Sequence, residues 1–227
     1  MNVDYHNTFN MNTYRSIIRA GKSNGYKFVT ISEFIELGCP KDGYFIIRHD
    51  LDLKPQSLQC IAEVEREEQV RSTTFVRLIG ADYNLFSYPV FEVIKYAAVM
   101  MELGLHSNFV EFATINDVDA EVVLKSELQM LRSFFSICGI APHRDINYTV
   151  NSLPWLDKHW DRIRHEYKLS YHAYENRILK STIYVNEGFN PHLCWRNLTP
   201  FDAIKTHQSV YMLTHPHWWF KHHPFET

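Results

Sequence analysis

Short apolar runs alternate with amphipathic segments along this 227-residue chain, and the alternation limits the folds that it can adopt. The runs at 44–47 and 73–79 are rich in aromatic and β-branched residues, which predicts buried strands. Leu124, Leu128 and Leu131 recur at the spacing of one helix face. Strands that alternate with helices form parallel sheets through right-handed crossovers. We therefore predict a mixed α/β fold in one domain over residues 1–227, a length that suits an α/β barrel.

The same patterns give approximate boundaries for the elements. A first helix is predicted around 14–21, and a short second helix is capped by Ser32. A further helix is predicted to begin at Pro55, with an inner face that includes Ile61 and Glu65, and a long helix covers 117–135. The connections after residue 145 have no clear helical pattern. The predicted strands lie at 28–31, 44–52, 73–79, 103–107, 139–145, 168–172, 183–186 and 210–215.

Composition excludes several classes of protein. The formal net charge of −3 provides no basic surface for nucleic acid or an anionic membrane, and no apolar run reaches the length of a membrane span. Cys39, Cys60, Cys138 and Cys194 are too widely spaced for a zinc ribbon and are expected to be buried thiols. Residues 1–6 lack the basic and apolar regions of a signal peptide, so we expect a cytoplasmic protein.

The stretch Arg-His-Asp-Leu-Asp at 48–52 follows a predicted buried strand directly. Side chains alternate along a strand, so Arg48, Asp50 and Asp52 share one face if the strand continues that far. Two carboxylates on one face repel each other unless a metal ion, a shared proton or Arg48 compensates them. The stretch therefore indicates either a functional site or an Arg–Asp ion pair at the rim of the sheet.

Further polar residues fall at the predicted carboxyl ends of strands. Besides Asp50 and Asp52, these are His106, His143 and His215. A single histidine is more often structural than catalytic, but three of them coincide with strand ends. In α/β barrels this end of the sheet assembles the active site from several strands. We therefore expect these five side chains to lie near one another.

Four of these motifs together resemble the polysaccharide deacetylase superfamily, also called carbohydrate esterase family four. They are RHDLD at 48–52, GLHS at 104–107, HRD at 143–145 and LTHP at 213–216, in that order. The RHD-x-D form and the THP-x-WW ending are similar to its divergent intracellular branch, and STTFV at 72–76 is a further match. The resemblance implies a distorted (β/α) barrel with fewer than eight strands. It also implies one divalent metal, commonly zinc, that serves hydrolysis of N-acetyl groups on sugars.

The resemblance implies a role for each matching residue. Asp50 corresponds to the catalytic base and Asp52 to the metal-binding aspartate. His106 corresponds to the first metal-binding histidine, and His215 to the general acid that protonates the leaving nitrogen. Arg144 corresponds to the arginine that supports the base.

One metal ligand of the family pattern is missing. The second histidine of the family falls at Val110, which has no donor atom. We predict that His143 replaces it, because His143 ends a predicted strand beside Arg144; His172 is the alternative. Zinc also suits imidazole better than the neighbouring carboxylate of Asp145, which instead caps the next segment or positions the arginine.

The aromatic and acidic positions of the family are matched in part. Trp195 resembles the tryptophan that packs near the arginine, and Trp218 and Trp219 pack either on a sugar face or in the core. The aspartate that the family has in this region is not evident. Asn186 and Glu187 stand there instead.

These residues predict a metal-dependent hydrolase that removes an N-acetyl or related acyl group from a sugar. Its partner would be an acetylated sugar or glycan intermediate of surface-glycan biosynthesis, with zinc as the expected divalent metal. His217 is a rival of His215 for the role of acid. An alternative, which Val110 favours, is a catalytically silent module that binds a sugar or a protein. Hydrolysis of a small non-sugar amide is a third possibility, and the oligomeric state is not predicted.

Overall fold

The computed structural model describes residues 9–80, 82–143, 150–189 and 193–219, over which strands and helices alternate as predicted. The strands are β1 (Lys27–Val29), β2 (Tyr44–Leu51), β3 (Thr73–Val76), β4 (Glu102–Ser107), β5 (Ile137–Pro142), β6 (Tyr171–His172), β7 (Ile183–Phe189), β8 (Leu193–Trp195) and β9 (Val210–Thr214). The helices are α1 (Met11–Ser23), α2 (Ile31–Glu36), α3 (Gln56–Glu67), α4 (Tyr88–Ala98), α5 (Phe109–Asn116), α6 (Ala120–Arg132), α7 (Ser152–Glu166), α8 (Asn176–Leu179) and α9 (Pro200–Ile204). A 3-10 turn at Pro216–Trp218 follows β9.

The described strands form one curled sheet in the order β6-β5-β4-β3-β2-β9-β7-β8, with β1 pairing along the first half of β2. From β6 to β7 in this order all neighbours are parallel, whereas β8 is antiparallel to β7. Side chains from distant strands meet on the concave face, among them Ile46, Phe75, Ala141, Tyr171 and Tyr211. The predicted mixed α/β class is confirmed, and the curled parallel sheet is consistent with a distorted α/β barrel.

Strand β2 alternates between two environments. Phe45 and Ile47 point outward into the core between the sheet and the helices, whereas Ile46 belongs to the concave cluster. By the same alternation Arg48 and Asp50 lie on the concave side, where both are buried. The prediction that these two side chains share one face of the strand is therefore confirmed.

The long helix predicted over 117–135 is present as α6, but it is shorter and runs from Ala120 to Arg132. It begins later because Asp117, which ends α5, adopts a left-handed conformation with φ of 53° that an α-helix does not contain. Asp119 then caps α6 by accepting hydrogen bonds from the backbone N–H groups of Glu121 and Val122. The predicted leucine stripe lies within α6 and is buried.

Other boundaries also need correction. Thr30, and not Ser32, caps α2, because the Thr30 side chain and that of Glu33 form a reciprocal capping box. The connection after residue 145, which has no clear pattern, contains α7, at 15 residues the longest described helix. The described sheet has nine strands and not fewer than eight. The parallel series from β6 to β7 has seven strands; the other two are β1, which pairs with the first half of β2, and the antiparallel β8 at the edge.

Two expectations from composition can be compared with the structure. All four cysteines are free thiols, but they are half-buried, so the prediction of buried thiols is only partly right. Among the residues that the structure describes, none of the helices combines the length and the apolar character that a membrane span requires.

Candidate active site

An open cavity of about 820 Å³ lies at the carboxyl ends of the parallel strands. This is the end of the sheet at which α/β barrels carry their active sites. The five residues predicted to lie near one another all line the cavity, which brings together Asp50, Asp52, His106, His143 and His215.

Three predicted metal ligands converge within this cavity. Asp52 Oδ1 lies 3.2 Å from His106 Nε2 and 3.6 Å from His143 Nε2. One donor atom from each residue lies within 4.8 Å of the other two. An aspartate with two imidazoles beside an open cavity matches the composition of catalytic zinc sites, which keep a coordination position for water or substrate.

His143 reaches this position because β5 continues to pair with β4 beyond its last residue. His106 pairs with Ala141 and Ser107 with Pro142 in the parallel register. The backbone N–H of His143 then donates a hydrogen bond of 2.8 Å to the carbonyl oxygen of Ser107. Adjacent strand ends therefore place the two imidazole rings side by side, with centroids 4.9 Å apart.

The far side of the His106 ring fixes its tautomer. His106 Nδ1 lies 2.8 Å from the carbonyl oxygen of Ala141, and because a carbonyl only accepts, Nδ1 carries the hydrogen. In the neutral ring the Nε2 lone pair then faces Asp52 Oδ1 at 3.2 Å and Asp50 Oδ2 at 3.5 Å. The lone pair of His106 Nε2 and those of the two carboxylate oxygens repel each other unless a cation or a proton lies between them. Metal-binding histidines are oriented by such a hydrogen bond on the opposite nitrogen.

Asp52 provides the test of whether these residues fit a metal. Its Oδ1 is buried and accepts no well-formed hydrogen bond from the described residues. Burial alone raises the pKa of Asp52, but His106 and His143 lower it well below its usual value, so the carboxylate is ionised. A buried, ionised oxygen without a hydrogen-bond donor is a position that a cation satisfies. The donor set therefore fits a divalent metal.

His172, the alternative third ligand, does not belong to this site. From β6 it lies against α7, where its Nε2 is 3.3 Å from Asp157 Oδ1 and its ring packs edge-on against Trp160. Burial lowers the pKa of His172 to about 4. The hypothesis that His172 completes the metal site is wrong, because its side chain lies outside the cavity.

The buried guanidinium of Arg48 compensates the charge of Asp50. Its Nε donates to Asp50 Oδ1 at 2.8 Å and its Nη2 to Oδ2 at 2.6 Å. The rings of Phe75 and Tyr174 lie over the guanidinium, with centroids 5.3 Å and 4.4 Å from its carbon. Burial alone raises the pKa of Asp50, but Arg48 and His106 outweigh it and hold the pKa below its usual value. Of the three ways to compensate Asp50, the structure shows the ion pair.

The remaining positions that the sequence singled out add little to the description of the site. Arg144 and Asp145 lie outside the described residues. Val110 lies on α5 and packs against the outer core, so the position of the missing histidine is occupied by an ordinary core side chain. Asn186 lines the cavity.

Glu187 holds the predicted acid, His215. Its Oε1 accepts a hydrogen bond from the backbone N–H of His215 and lies 3.1 Å from the Nδ1 of the same ring. Trp219 Nε1 donates to Glu187 Oε2 at 2.9 Å. Burial alone lowers the pKa of His215, but Glu187 raises it above the usual value. His215 therefore holds its proton more tightly than a free imidazole does, and its Nε2 lies 3.7 Å from Asp52 Oδ2.

The tryptophans divide between the cavity and the core. Trp218 lines the cavity and packs against the His215 ring at a centroid distance of 4.9 Å. Trp219 is buried and packs against Trp195. Trp218 is thus the one of the three that is placed to contact a ligand. His217 also lines the cavity, and burial lowers its pKa to about 4, so it is neutral at physiological pH.

A buried polar network behind the site was missed by the sequence analysis. His49 Nε2 lies 2.9 Å from Glu65 Oε1, and His49 Nδ1 lies 2.6 Å from Thr214 Oγ1. Tyr14 donates a hydrogen bond of 2.6 Å to the same oxygen of Glu65. The network ties β2 to β9 one residue before Asp50 and His215, respectively. The available signal was Glu65, an acid on the inner face of the predicted helix.

Arg77 is a second cavity residue that the sequence analysis did not single out. It directly follows β3, and its Nε donates to the carbonyl oxygen of Ile79 at 3.2 Å. Its backbone N–H donates to the Tyr83 hydroxyl, which in turn donates to the carbonyl oxygen of Leu51. These bonds fix the end of β3 beside the metal ligands.

Comparison with known proteins found no match to the chain among protein-family models, curated proteins or solved structures. The interpretation of the site therefore depends on its residues and their geometry. Without a matching solved structure, the fold is defined by its own elements as mixed α/β with a curled, mostly parallel sheet.

Proposed function

We propose that the protein is a metal-dependent hydrolase of polysaccharide deacetylase type that removes an N-acetyl or related acyl group from a sugar. The observation that carries the proposal is the convergence of Asp52, His106 and His143 in one cavity. Asp50 lies next to His106, and His215 lies next to Asp52, so a base and an acid flank the same position. The order of the four sequence motifs supports the family resemblance.

Zinc is the metal that this donor set favours. One carboxylate and two imidazoles match its preference for nitrogen ligands together with one oxygen ligand. When bound, the metal supplies a Lewis acid for the acyl oxygen and for the attacking water.

The chain's own residues supply the proton transfers. Asp50, kept ionised by Arg48, accepts a proton from water as the water oxygen adds to the acyl carbon. His215 donates its proton to the leaving nitrogen as the C–N bond breaks, and Glu187 holds its ring in place. The products are acetic acid and a free amine, and exchange with solvent removes the proton from Asp50 and restores that of His215.

The cavity wall is suited to a sugar. Trp218 provides an aromatic face beside His215, and such faces pack against sugar rings. Tyr184 and Asn186 line the same cavity with further polar groups. We propose an acetylated sugar or glycan intermediate of surface-glycan biosynthesis as substrate, by analogy with the family.

The test is acetate release by the zinc-loaded protein from a panel of free, nucleotide-linked and oligomeric N-acetylated sugars. We expect acetate and free amine in equal amounts from at least one of them. Asp52→Asn should lose both metal and activity. Asp157→Asn, which changes an aspartate outside the cavity, should keep both.

The same experiment also tests the alternative function, a catalytically silent binding module. A protein that binds zinc through Asp52 and releases no acetate from any sugar in the panel would contradict the proposal. It would favour the catalytically silent binding module. Acetate release only from a small non-sugar amide would retain the site chemistry and change the substrate class.

A further inference from the structure

Arg77 places a second positive charge next to the candidate metal site. Only 6% of the residue is exposed, and it lines the cavity. Its Nη1 lies 3.4 Å from His143 Nε2, the nitrogen that also faces Asp52 Oδ1. An arginine does not lose its proton in proteins, so this charge is permanent.

The position of the guanidinium is determined by the surrounding backbone. Its Nε is hydrogen-bonded to the carbonyl oxygen of Ile79, and its Nη1 lies 3.4 Å from His143 Nε2. A side chain on Gly80 would come within 3.3 Å of Arg77 Nε. The bond to Ile79 holds the guanidinium at the cavity wall, where the absence of a side chain on Gly80 leaves room for it.

A guanidinium and a divalent cation repel each other in a partly buried site. An anion that contacts both offsets this repulsion, and arginine binds carboxylate oxygens with its planar set of donors. The proposed reaction forms such anions at this place, first the oxyanion on the acyl carbon and then the carboxylate of the released acid. Preorganised donors directed at the developing charge are a major source of catalysis in acyl transfer.

On the basis of the proposed hydrolase function, we propose that Arg77 is the anion-binding residue of the cavity. Its guanidinium contacts the oxygen of the acyl group, both in the oxyanion that develops when water adds and in the carboxylate product. Acetate is therefore a ligand of the metal-loaded protein, and its affinity depends on Arg77.

Acetate binding to the Co²⁺-loaded full chain tests this inference without any sugar substrate. The visible spectrum of the bound cobalt reports acetate binding, and metal content is measured for every variant. Arg77→Gln should keep the metal and bind acetate at least about tenfold more weakly, the loss typical of a deleted charged hydrogen bond. Arg196→Gln is the matched control, because Arg196 lines the same cavity but is exposed. Its effect should stay below about twofold, since solvent and salt screen an exposed charge.

Each other result has a defined meaning. Unchanged acetate affinity in Arg77→Gln, an equal loss in Arg196→Gln, or loss of metal from Arg77→Gln would overturn the inference and leave the hydrolase proposal in place. If Arg77→Gln does not fold, Arg77→Lys decides: full metal with weaker acetate binding supports the inference, and unchanged binding overturns it. A wild-type protein that binds no cobalt through Asp52 would overturn the proposed function, and this inference with it.

Discussion

Glu127 couples the stability of the fold to pH beneath the candidate site. It lies on α6 with 4% exposure and accepts a hydrogen bond from the Ser107 hydroxyl, one residue after the ligand candidate His106. Burial raises the pKa of Glu127 to about 7, although the bonds from Ser107 and from the backbone of Ile79 lower it. The folded protein therefore holds a proton on Glu127 under conditions in which an exposed glutamate is ionised.

The sign and size of the effect follow from this shift. The carboxyl of the unfolded chain titrates near 4.5, so between pH 4.5 and about 7 only the folded state keeps the proton. The stabilising contribution is complete below pH 4.5, and the free energy of unfolding falls as pH rises through about 7. At about 1.36 kcal/mol per pH unit, the full change is about 3 kcal/mol.

The variant Glu127→Gln isolates this contribution. Glutamine keeps the shape and can still accept from Ser107, but it does not titrate. Urea unfolding of both proteins in the presence of a chelator, at intervals from pH 4 to 8, gives the difference in unfolding free energy without a contribution from metal binding. Relative to wild type, the variant should gain about 3 kcal/mol as pH rises across this range.

The control is Glu36→Gln, which makes the same substitution at an exposed position at the end of α2. A flat difference for Glu127→Gln would refute the reasoning, because it would mean that Glu127 ionises alike in the folded and unfolded states. A difference of the opposite sign would mean that the buried carboxylate is stabilised as an anion.

Three further predictions concern the cavity. His143→Ala should weaken metal binding by at least about tenfold, whereas His172→Ala should retain full metal by atomic emission; full occupancy in His143→Ala would contradict the ligand assignment. Asp50→Asn should retain metal and lose turnover by about a hundredfold to ten-thousandfold; loss of metal instead would exchange the roles of the two aspartates. In single-turnover experiments His215→Ala should lose activity by a similar factor, and His217→Ala should not; the reverse result would identify His217 as the acid.

The sequence predicted which end of the sheet carries the polar side chains, because strand alternation and chain order determine it. Asp50 and His106 lie at the carboxyl ends of β2 and β4, and His143 and His215 directly follow β5 and β9. These strands run parallel, so their ends meet at the same edge of the sheet. Local periodicity was sufficient for this conclusion. It also identified α1, α3 and the buried stripe of α6.

What the sequence did not predict depends on pairing between distant segments. Glu187 supports His215 because β7 pairs with β9 in the register that aligns Asn186 with Leu213, and no local pattern indicates that register. The choice between a metal, a shared proton and Arg48 at Asp50 likewise depends on side-chain geometry. The later start of α6 was not predicted, because polar residues such as Asp117 and Asp119 are as acceptable on an exposed helix face as in a turn.

The charges of the site distinguish the metal ligand from the other acids. Asp50 is paired with the permanent cation of Arg48, and Glu187 is paired with the His215 imidazole, whose pKa it raises. Among the described residues Asp52 is paired with imidazoles alone, and one of them is the His106 ring whose Nε2 lone pair faces its oxygen. None of these imidazoles carries a permanent charge as Arg48 does. Arg48 thus compensates Asp50 and Glu187 holds the His215 ring, whereas Asp52 has no such fixed partner, and a divalent cation would fit beside it.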